Sequence, residues 1–404
     1  MPPAPATTWF ARPADPNWIC APAPAEVPDF HAGLPGYAPT PLTELPALAA
    51  ELGVGRVFVK DESARLGLPA FKALGATWAV RRVLAGRAPG PAAGRAPRPP
   101  LVLVTATDGN HGRALARTAR LLGQRAHVFV PRSVHPAAVA AIEAEGARIT
   151  LVPGPYDEAV RRAADAAAGP DAVLVQDTAW PGYEEIPGWI VEGYSTLFTE
   201  IDAQLSAAGA GPPGLVAVPV GVGSLAQAAV THYRGGARHR HRGRPARPAL
   251  LSVEPDTAAC VLASLVQGRR VAVATGATSM AGLNCGTPST LAWPLLRAGL
   301  DAAVAVTDED SLLAVRDLAV LGVPSGPCGA ASLAGARAVL TGTGTGTGTS
   351  GTGTGSGTGT GRRDALGIGP DATVVLLSTE GAAANPVGTG GTPSARPPDG
   401  RGVL

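Results

Sequence analysis

Short apolar runs of strand length alternate with alanine-rich stretches of helix length along most of the chain. The apolar runs cover residues 56–60, 101–106, 126–130, 149–152, 172–176, 215–220, 249–253, 303–306 and 373–377. Helices are predicted between them, for example over residues 112–122 and 136–145. Because strands that alternate with helices pair in parallel, the pattern predicts an α/β protein with largely parallel sheets.

Four segments depart from this pattern. The first 45 residues are rich in Pro and Ala and predict an extended arm, with regular structure beginning after it. Residues 87–100 and 234–248 are predicted loops. The basic run ARHRHRGRPARP in the second is expected in solvent, with a nucleic-acid or phosphate contact as the alternative. The Gly/Thr repeat of residues 341–361 has no side chain that buries much apolar area, so it predicts a flexible loop.

Charge and cysteine content narrow the class of protein. The 404 residues include 33 basic and 31 acidic side chains, a net charge of +2, so no global field favours nucleic acid or a membrane as partner. The chain has no run of about 18 apolar residues and no signal-peptide order at its start, so we expect a cytoplasmic protein. The four cysteines are far apart, which favours neither a disulfide framework nor a zinc site, and no metal is expected.

Lysine is rare in this chain. Lys60 and Lys72 are the two that occur, and arginine supplies the remaining positive side chains. Arginine keeps its proton near neutral pH, whereas a lysine amine can lose it and form an imine. Each lysine therefore either has a special chemical role or has been retained by chance in a surface ion pair.

Two turns that precede predicted helices have features of ligand sites. Lys72 follows a Gly/Pro turn and opens a helical run, where its amine would reach a cleft at the end of a sheet. In TATDGNHGRALA, residues 105–116, a strand ends in a tight turn before a helix whose first N–H groups favour an anion. Asp and Asn are also ordinary helix caps, so this turn alone leaves a purely structural interpretation open.

Two further strands end in glycine-containing or hydroxyl-containing turns. In PVGVGSLAQAAVTHY, residues 219–233, Gly221 and Gly223 leave room for a phosphate, and Ser224 adds a hydroxyl at a helix start. This G-x-G matches neither the P-loop nor the full dinucleotide motif. In VVLLSTEGAAANP, residues 374–386, a buried strand delivers Ser378 and Thr379 to its carboxyl end.

In this order and spacing, these elements resemble the fold type II pyridoxal-phosphate enzymes, which include threonine dehydratase, serine racemase and tryptophan synthase β. The similarity covers roughly residues 35–385. It is closest to the diaminopropionate ammonia-lyases, through motifs such as KDESARLGLPAFKALG, VQDTAWPGYEEIPGWIVEGYSTLFTEI and MAGLNCGTPSTLAWPLL.

The resemblance implies an architecture as well as a cofactor. Two parallel-sheet α/β domains would hold pyridoxal 5'-phosphate in the cleft between them. The large domain would comprise residues 46–99 and 181–404, the small domain residues 100–180, and the arm residues 1–45. Relatives are commonly homodimers, so a second copy of the chain is the expected protein partner.

The resemblance also implies roles for single residues. Lys72 would hold the cofactor as a Schiff base, and Asn110 would donate a hydrogen bond to the phenolic oxygen of the ring. Ser378, or its neighbour Thr379, would meet the pyridine nitrogen with a neutral hydroxyl, which leaves the ring a weaker electron sink than a carboxylate would. The phosphate would be cradled by the backbone amides of Gly221, Val222, Gly223 and Ser224.

Two acids are the remaining catalytic candidates. Asp108 lies beside Asn110, where most fold type II dehydratases have a small or hydroxyl residue. A carboxylate there can bind the β-ammonium group of diaminopropionate and exchange protons with it. The resemblance implies that Asp108 and Asp177 act on opposite faces to serve the D and L substrates; as a bare sequence feature, Asp177 is a turn residue that closes a strand.

The expected reaction is α,β-elimination of ammonia from 2,3-diaminopropionate, a small amino-acid substrate, to give pyruvate and a second ammonia. A serine or threonine dehydratase, or another β-eliminating or β-replacing enzyme, is the first alternative. The second is a binding module that keeps the fold without catalysis. In SGPCGAAS, residues 325–332, Pro327 and Cys328 stand where relatives usually have an acidic residue and a serine, so the ring pocket is expected to differ there.

Overall fold

The computed structural model describes residues 8–87, 99–107, 109–154, 156–236, 240–241, 244–245, 247–342 and 359–384. The strands are β1 Trp9–Ala11, β2 Leu42–Glu44, β3 Arg56–Asp61, β4 Val102–Ala106, β5 Arg125–Pro131, β6 Arg148–Val152, β7 Ala172–Leu174, β8 Leu215–Pro219, β9 Arg240–His241, β10 Arg244–Pro245, β11 Ala249–Pro255, β12 Ala302–Val306 and β13 Thr373–Ser378. The helices are α1 Val27–Ala32, α2 Pro46–Leu52, α3 Ala73–Gly86, α4 Asn110–Leu121, α5 Pro136–Glu143, α6 Tyr156–Ala166, α7 Glu185–Gly193, α8 Ser195–Ala207, α9 Ser224–Arg234, α10 Cys260–Gln267, α11 Ala292–Gly299, α12 Asp308–Val320, α13 Pro327–Leu340 and α14 Gly359–Ala365. Asp108, most of the predicted loop of residues 87–100 and most of the repeat of residues 341–361 lie outside the described residues.

Two separate sheets, one mostly and one entirely parallel, form the framework. The larger sheet has the strand order β1-β12-β11-β8-β13-β3-β2, and the smaller one has the order β6-β5-β4-β7. All neighbours in the smaller sheet are parallel. In the larger sheet the five inner strands are parallel, and β1 and β2 add antiparallel edges. The predicted α/β class with largely parallel sheets is confirmed.

The predicted strands and helices are found with small differences in length. β7 ends at Leu174 rather than at residue 176, and α5 ends at Glu143 rather than at residue 145. α4 begins at Asn110, before the predicted start at residue 112. Among the described residues, no helix is both long enough and apolar enough to cross a membrane.

The N-terminal segment contains regular structure, so the prediction that such structure begins after residue 45 is wrong. β1 pairs with β12, with Phe10 opposite Ala303, and extends the larger sheet. α1 has a proline in its first turn, where the missing N–H would have no helical partner, and it buries Val27 and His31. Proline is therefore compatible with α1, and β1 is stabilised by a partner strand far away in sequence.

Helix α13 packs closely on the larger sheet because its surface is made of small residues. Every residue from Pro327 to Leu340 except Arg337 is buried. A Cβ atom on Gly335 would lie 2.4 Å from Cγ2 of Val253 in β11, so only glycine allows this approach. The packing of α13 fixes its first residue, the unusual Pro327, and with it the turn that leads into the helix.

The predicted site residues lie beyond the carboxyl ends of strands in both sheets. β8 leads into the glycine turn before α9, and β13 ends at Ser378. In the smaller sheet, β4 leads into the turn before α4, and Asp177 follows β7. Lys72 immediately precedes α3. Ligands of open parallel sheets bind at this end of the strands, so these turns are candidates for one common cleft.

Candidate active site

A cavity of about 630 Å³ is lined by residues that follow strands of both sheets. Ser378 is not among the lining residues, and Asp108 lies outside the described part of the chain. The predicted site residues that do line the cavity are Lys72, Asn110, Asp177, Gly221, Val222, Gly223, Ser224 and Thr379. Folding thus brings together side chains and turns that are far apart in sequence.

Lys72 and Asp177 form an ion pair in this cavity. Nζ of Lys72 donates a hydrogen bond to Oδ2 of Asp177 at 2.5 Å. Burial opposes the ammonium, but the facing carboxylate outweighs it and raises the pKa of Lys72 above its usual range. Burial also opposes the carboxylate, yet His111 and Lys72 together hold the pKa of Asp177 below its usual range. Asp177 is therefore an ionised proton acceptor in contact with the lysine.

The backbone around Lys72 is fixed by the residues that follow β13. The N–H of Phe71 donates to the carbonyl oxygen of Thr379 at 3.2 Å, and the N–H of Gly381 donates to that of Pro69 at 2.9 Å. The N–H of Ala76 bonds the Lys72 carbonyl at 3.1 Å and begins α3. The lysine is thus held between a helix start and a strand end.

His111 is a buried member of the site to which the sequence analysis gave no role. Its Nε2 lies 2.8 Å from the carbonyl oxygen of Val175, and since a carbonyl only accepts, Nε2 carries a proton. Its Nδ1 lies 3.8 Å from Oδ2 of Asp177 and has no hydrogen-bond partner among the described residues. Burial lowers the pKa of His111. The ring is therefore neutral at neutral pH, where Lys72 is the cation that faces Asp177, and His111 adds a positive charge only when it is protonated in acid.

The turn between β4 and α4 is organised by Thr107. Its Oγ1 accepts hydrogen bonds from the N–H groups of Gly109 and Gly112, both at 3.0 Å. A Cβ atom on Gly112 would lie 2.3 Å from Cγ2 of Thr107, so a glycine is needed there. The turn directs Asn110 to the cavity, and Nδ2 of Asn110 donates to Oε2 of Glu380 at 2.7 Å.

The glycine turn after β8 leaves its backbone accessible from the cavity. Gly223 has φ = 101°, and a Cβ atom there would lie 2.6 Å from Cδ1 of Leu296. A Cβ atom on Gly221 would lie 3.0 Å from Sγ of Cys285. α9 then begins at Ser224, whose hydroxyl donates to the carbonyl oxygen of Asp177 at 3.1 Å. The turn thus offers the N–H groups and positive end of a helix to an anion.

The two hydroxyls after β13 have different surroundings. Thr379 lines the cavity and is almost fully buried. Ser378 donates from its Oγ to Oγ of Ser325 at 2.8 Å and lies behind the cavity wall. Of the two candidates for the pyridine nitrogen, Thr379 is the one at the cavity surface.

The cavity has further lining residues that the sequence analysis did not name as candidates. Tyr156 begins α6, Tyr194 lies between α7 and α8, and Cys285 lies in an irregular segment. Tyr194 packs so closely on α3 that a Cβ atom on Gly75 would lie 2.6 Å from its Cε1. Only the folded arrangement brings these side chains to the cavity.

The residues present fit pyridoxal phosphate. An amine, a glycine turn at a helix start, an amide and a hydroxyl line one cavity. The glycine turn has no space for Cβ atoms, as expected where the backbone itself contacts a phosphate. The size of the cavity is in the usual range for cofactor sites, which is about 300–1,000 Å³.

The chain is similar to known enzymes over most of its length. Residues 34–347 match the family described as pyridoxal-phosphate dependent enzymes. The chain is 38% identical over 314 residues to diaminopropionate ammonia-lyase from Salmonella typhimurium, covering 74% of this chain and 75% of that protein. It is 35% identical over 370 residues to the Escherichia coli diaminopropionate ammonia-lyase, covering 87% of this chain and 86% of the relative.

A solved structure shows the same similarity. The crystal structure of Escherichia coli diaminopropionate ammonia lyase in complex with an aminoacrylate-PLP azomethine reaction intermediate superposes with a TM-score of 0.75 and 31% identity. The match covers 93% of this chain and 96% of that chain. This chain therefore belongs to the pyridoxal-phosphate dependent enzymes, with pyridoxal phosphate as its cofactor, and within that family to the diaminopropionate ammonia-lyases.

Proposed function

We propose that this chain converts 2,3-diaminopropionate and water into pyruvate and two molecules of ammonia. The observation that carries the proposal is the contact of 2.5 Å between Lys72 and an ionised Asp177, in a cavity that also contains the glycine turn. The identity of 35% over 87% of the chain to a diaminopropionate ammonia-lyase supports the choice of substrate.

Each part of the site has a proposed task. Pyridoxal phosphate, when bound, supplies an aldehyde that condenses with amines and a ring that withdraws electrons from the substrate Cα. Lys72 is the amine that holds it, and Asp177 takes the proton that Lys72 must lose. The glycine turn and the first N–H groups of α9 hold the phosphate.

The proposed elimination needs one base and one leaving group. Asp177 removes the α-proton of one enantiomer, and the Cβ–N bond breaks so that its electron pair leaves with ammonia. Water then hydrolyses the released aminoacrylate to pyruvate and the second ammonia. Asp108 is proposed, from the sequence resemblance, to take the α-proton of the other enantiomer.

The charge of the site favours diaminopropionate over serine or threonine. The β-substituent of diaminopropionate is an ammonium group, which a carboxylate in the cavity attracts. The hydroxyl of serine or threonine lacks this charge. A dehydratase would use Asp177 for the α-proton but would leave this electrostatic attraction to the β-substituent unused.

Keto-acid release from a panel of amino acids tests this proposal. The panel contains D- and L-2,3-diaminopropionate, serine and threonine, offered to the wild type, Asp177→Asn and the control Asp202→Asn. Asp202 pairs with His232 outside the cavity, so its variant should behave as the wild type. Asp177→Asn should lower kcat for one enantiomer by roughly 10²–10⁴-fold, the range for loss of a general base.

Three results would count against the proposal. Faster turnover of serine or threonine than of diaminopropionate would favour a dehydratase. An Asp177→Asn variant that keeps full activity on both enantiomers would remove Asp177 from the mechanism. A folded, cofactor-loaded protein that releases no keto acid from any amino acid would indicate a binding module.

We also propose that the enzyme works in the cytoplasm as a homodimer. All four cysteines lie in the described part of the chain and none forms a disulfide, which suits a reducing compartment. The dimer rests on the sequence resemblance. Light scattering of the purified holoenzyme should give twice the mass of one chain, and the mass of a single chain would contradict it.

A further inference from the structure

Glu380 stands where three segments of the site meet. It forms an antiparallel bridge with Ala70, close to Lys72. Its carbonyl oxygen accepts a hydrogen bond from the N–H of Gly326 at 2.9 Å, in the turn before α13. The residue is 2% exposed. Its backbone is therefore held on both sides, and its side chain has little freedom.

The carboxylate of Glu380 joins the two sheets. Oε1 accepts from the N–H of Cys328 at 3.3 Å, at the start of α13 on the larger sheet. Oε2 accepts from Nδ2 of Asn110 at 2.7 Å, at the start of α4 on the smaller sheet. Gly326 makes room for this side chain, because a Cβ atom there would lie 3.0 Å from Cγ of Glu380. The carboxylate is thus a fixed acceptor to which Asn110 must adapt.

The chemistry of a carboxylate determines which way the Asn110 amide faces. An amide carries an acceptor oxygen at one corner and a nitrogen with two hydrogens at the other. Oε2 of Glu380 accepts this hydrogen bond, so the carboxylate selects the nitrogen of the amide. One N–H of Nδ2 goes to Glu380, and the second N–H remains for an acceptor in the cavity that Asn110 lines.

We propose that Glu380 is a positioning residue, which orients the amide of Asn110 so that it donates to the phenolic oxygen of the cofactor ring. The inference rests on the ring contact of Asn110 that the sequence resemblance implies. It also accounts for the missing acidic residue in the turn of residues 325–332. That turn lacks an acidic side chain of its own, and Glu380 brings a carboxylate to its backbone from the neighbouring strand end.

The test separates orientation of the amide from support of the turn. Glu380→Met keeps the length of the side chain and removes the acceptor, whereas Glu380→Gln keeps an acceptor oxygen for Asn110. Both are made in the wild-type and Asn110→Ala backgrounds. The readouts are the dissociation constant of pyridoxal phosphate, the visible absorption maximum of the bound cofactor, and the thermal unfolding of the apoprotein.

In the wild-type background, Glu380→Met should weaken cofactor binding about tenfold, the size expected for a hydrogen bond to a charged group. It should also shift the absorption maximum, because hydrogen bonds to the ring tune its electronic state. Glu380→Gln should stay within about threefold of the wild type, since it retains the acceptor. In the Asn110→Ala background, Glu380→Met should cause no further weakening, because its effect passes through Asn110.

Two results overturn the inference. One is equal weakening by Glu380→Met with and without Asn110. The other is a Glu380→Met variant that binds the cofactor with unchanged affinity and spectrum. If Asn110→Ala itself leaves affinity and spectrum unchanged, the proposed ring contact of Asn110 fails as well, and the elimination reaction remains open to its own test. Thermal unfolding of the apoprotein shows whether Glu380→Met is folded. If it is not, Glu380→Gln carries the test, because a weakening well beyond threefold would contradict an effect that depends on the retained acceptor oxygen.

Discussion

Replacement of Glu200 by glutamine should strongly destabilise the fold, because Glu200 is the centre of a buried charge network. Lys60 donates from Nζ to Oε2 of Glu200 at 2.6 Å, and Arg65 donates to both of its oxygens at 2.6 and 2.8 Å. Arg65 also pairs with Glu62 at 2.7 Å. Lys60 and Arg65 are fully buried, so the prediction that an unreactive lysine would sit in a surface ion pair is wrong for Lys60.

The size of the effect follows from the contacts of the carboxylate. Oε1 accepts from Tyr37 and Arg65, and Oε2 accepts from Thr40, Lys60 and Arg65. In Glu200→Gln, an NH₂ group replaces one oxygen and faces at least two of these donors. The network also changes from two positive and two negative charges to a net positive charge. Removing one partner of a buried ion pair costs about 3–5 kcal/mol, and we expect a loss in this range.

Urea unfolding at saturating pyridoxal phosphate and constant pH measures this loss, followed by tryptophan fluorescence and far-UV circular dichroism. The matched control is Glu44→Gln, which removes a solvent-accessible pair with Arg56 and should cost far less than Glu200→Gln, because exposed ion pairs contribute little. The double variant Lys60→Met/Glu200→Gln should be more stable than the sum of the single variants predicts, because it removes the excess charge. The reasoning is refuted if Glu200→Gln costs no more than Glu44→Gln.

Two further predictions concern His31 and Gly223. Burial lowers the pKa of His31 to about 4, with Nε2 at 3.0 Å from the carbonyl oxygen of Leu74. In the unfolded chain His31 binds a proton near pH 6.5, whereas in the folded chain it does so only near pH 4. The free energy of unfolding therefore falls as the pH drops from about 6.5 to 4. His31→Gln should reduce the loss of unfolding free energy between pH 7 and pH 5 by about 2 kcal/mol, and equal pH dependence of both proteins would contradict this. Gly223→Ala should weaken pyridoxal phosphate binding at least about tenfold. An alanine at this backbone conformation is strained by about 1–3 kcal/mol, and its Cβ would lie 2.6 Å from Cδ1 of Leu296. The control is Gly36→Ala, which has φ = 75° and open space around it and should leave the affinity for pyridoxal phosphate unchanged.

The strands and the glycine turn could be predicted from sequence because their signals are local. The apolar run of residues 215–220 followed by Gly221 and Gly223 marks a buried strand and a turn without reference to any other segment. Lys72 stood out by the scarcity of lysine and by its place at a helix start.

Other features depend on partners that are distant in the chain. β1 exists because β12 provides an edge, and Glu380 meets Asn110 across a separation of 270 residues. His111 was visible in the turn, but its contact with Asp177 requires the end of β7 beside the start of α4. No local pattern contains such contacts, since they are stabilised by tertiary packing rather than by propensity.

Reduction of the holoenzyme with borohydride, followed by peptide mass spectrometry, tests most directly whether Lys72 carries the cofactor. The chain has two lysines, so the label has few possible positions. Lys60 is fully buried and bonded to Thr40, Glu200 and Gln204, so Lys60→Arg should label as the wild type does. The account predicts a pyridoxyl group on Lys72 and its loss in Lys72→Ala. A folded protein that is labelled on Lys60, or on neither lysine, would contradict it.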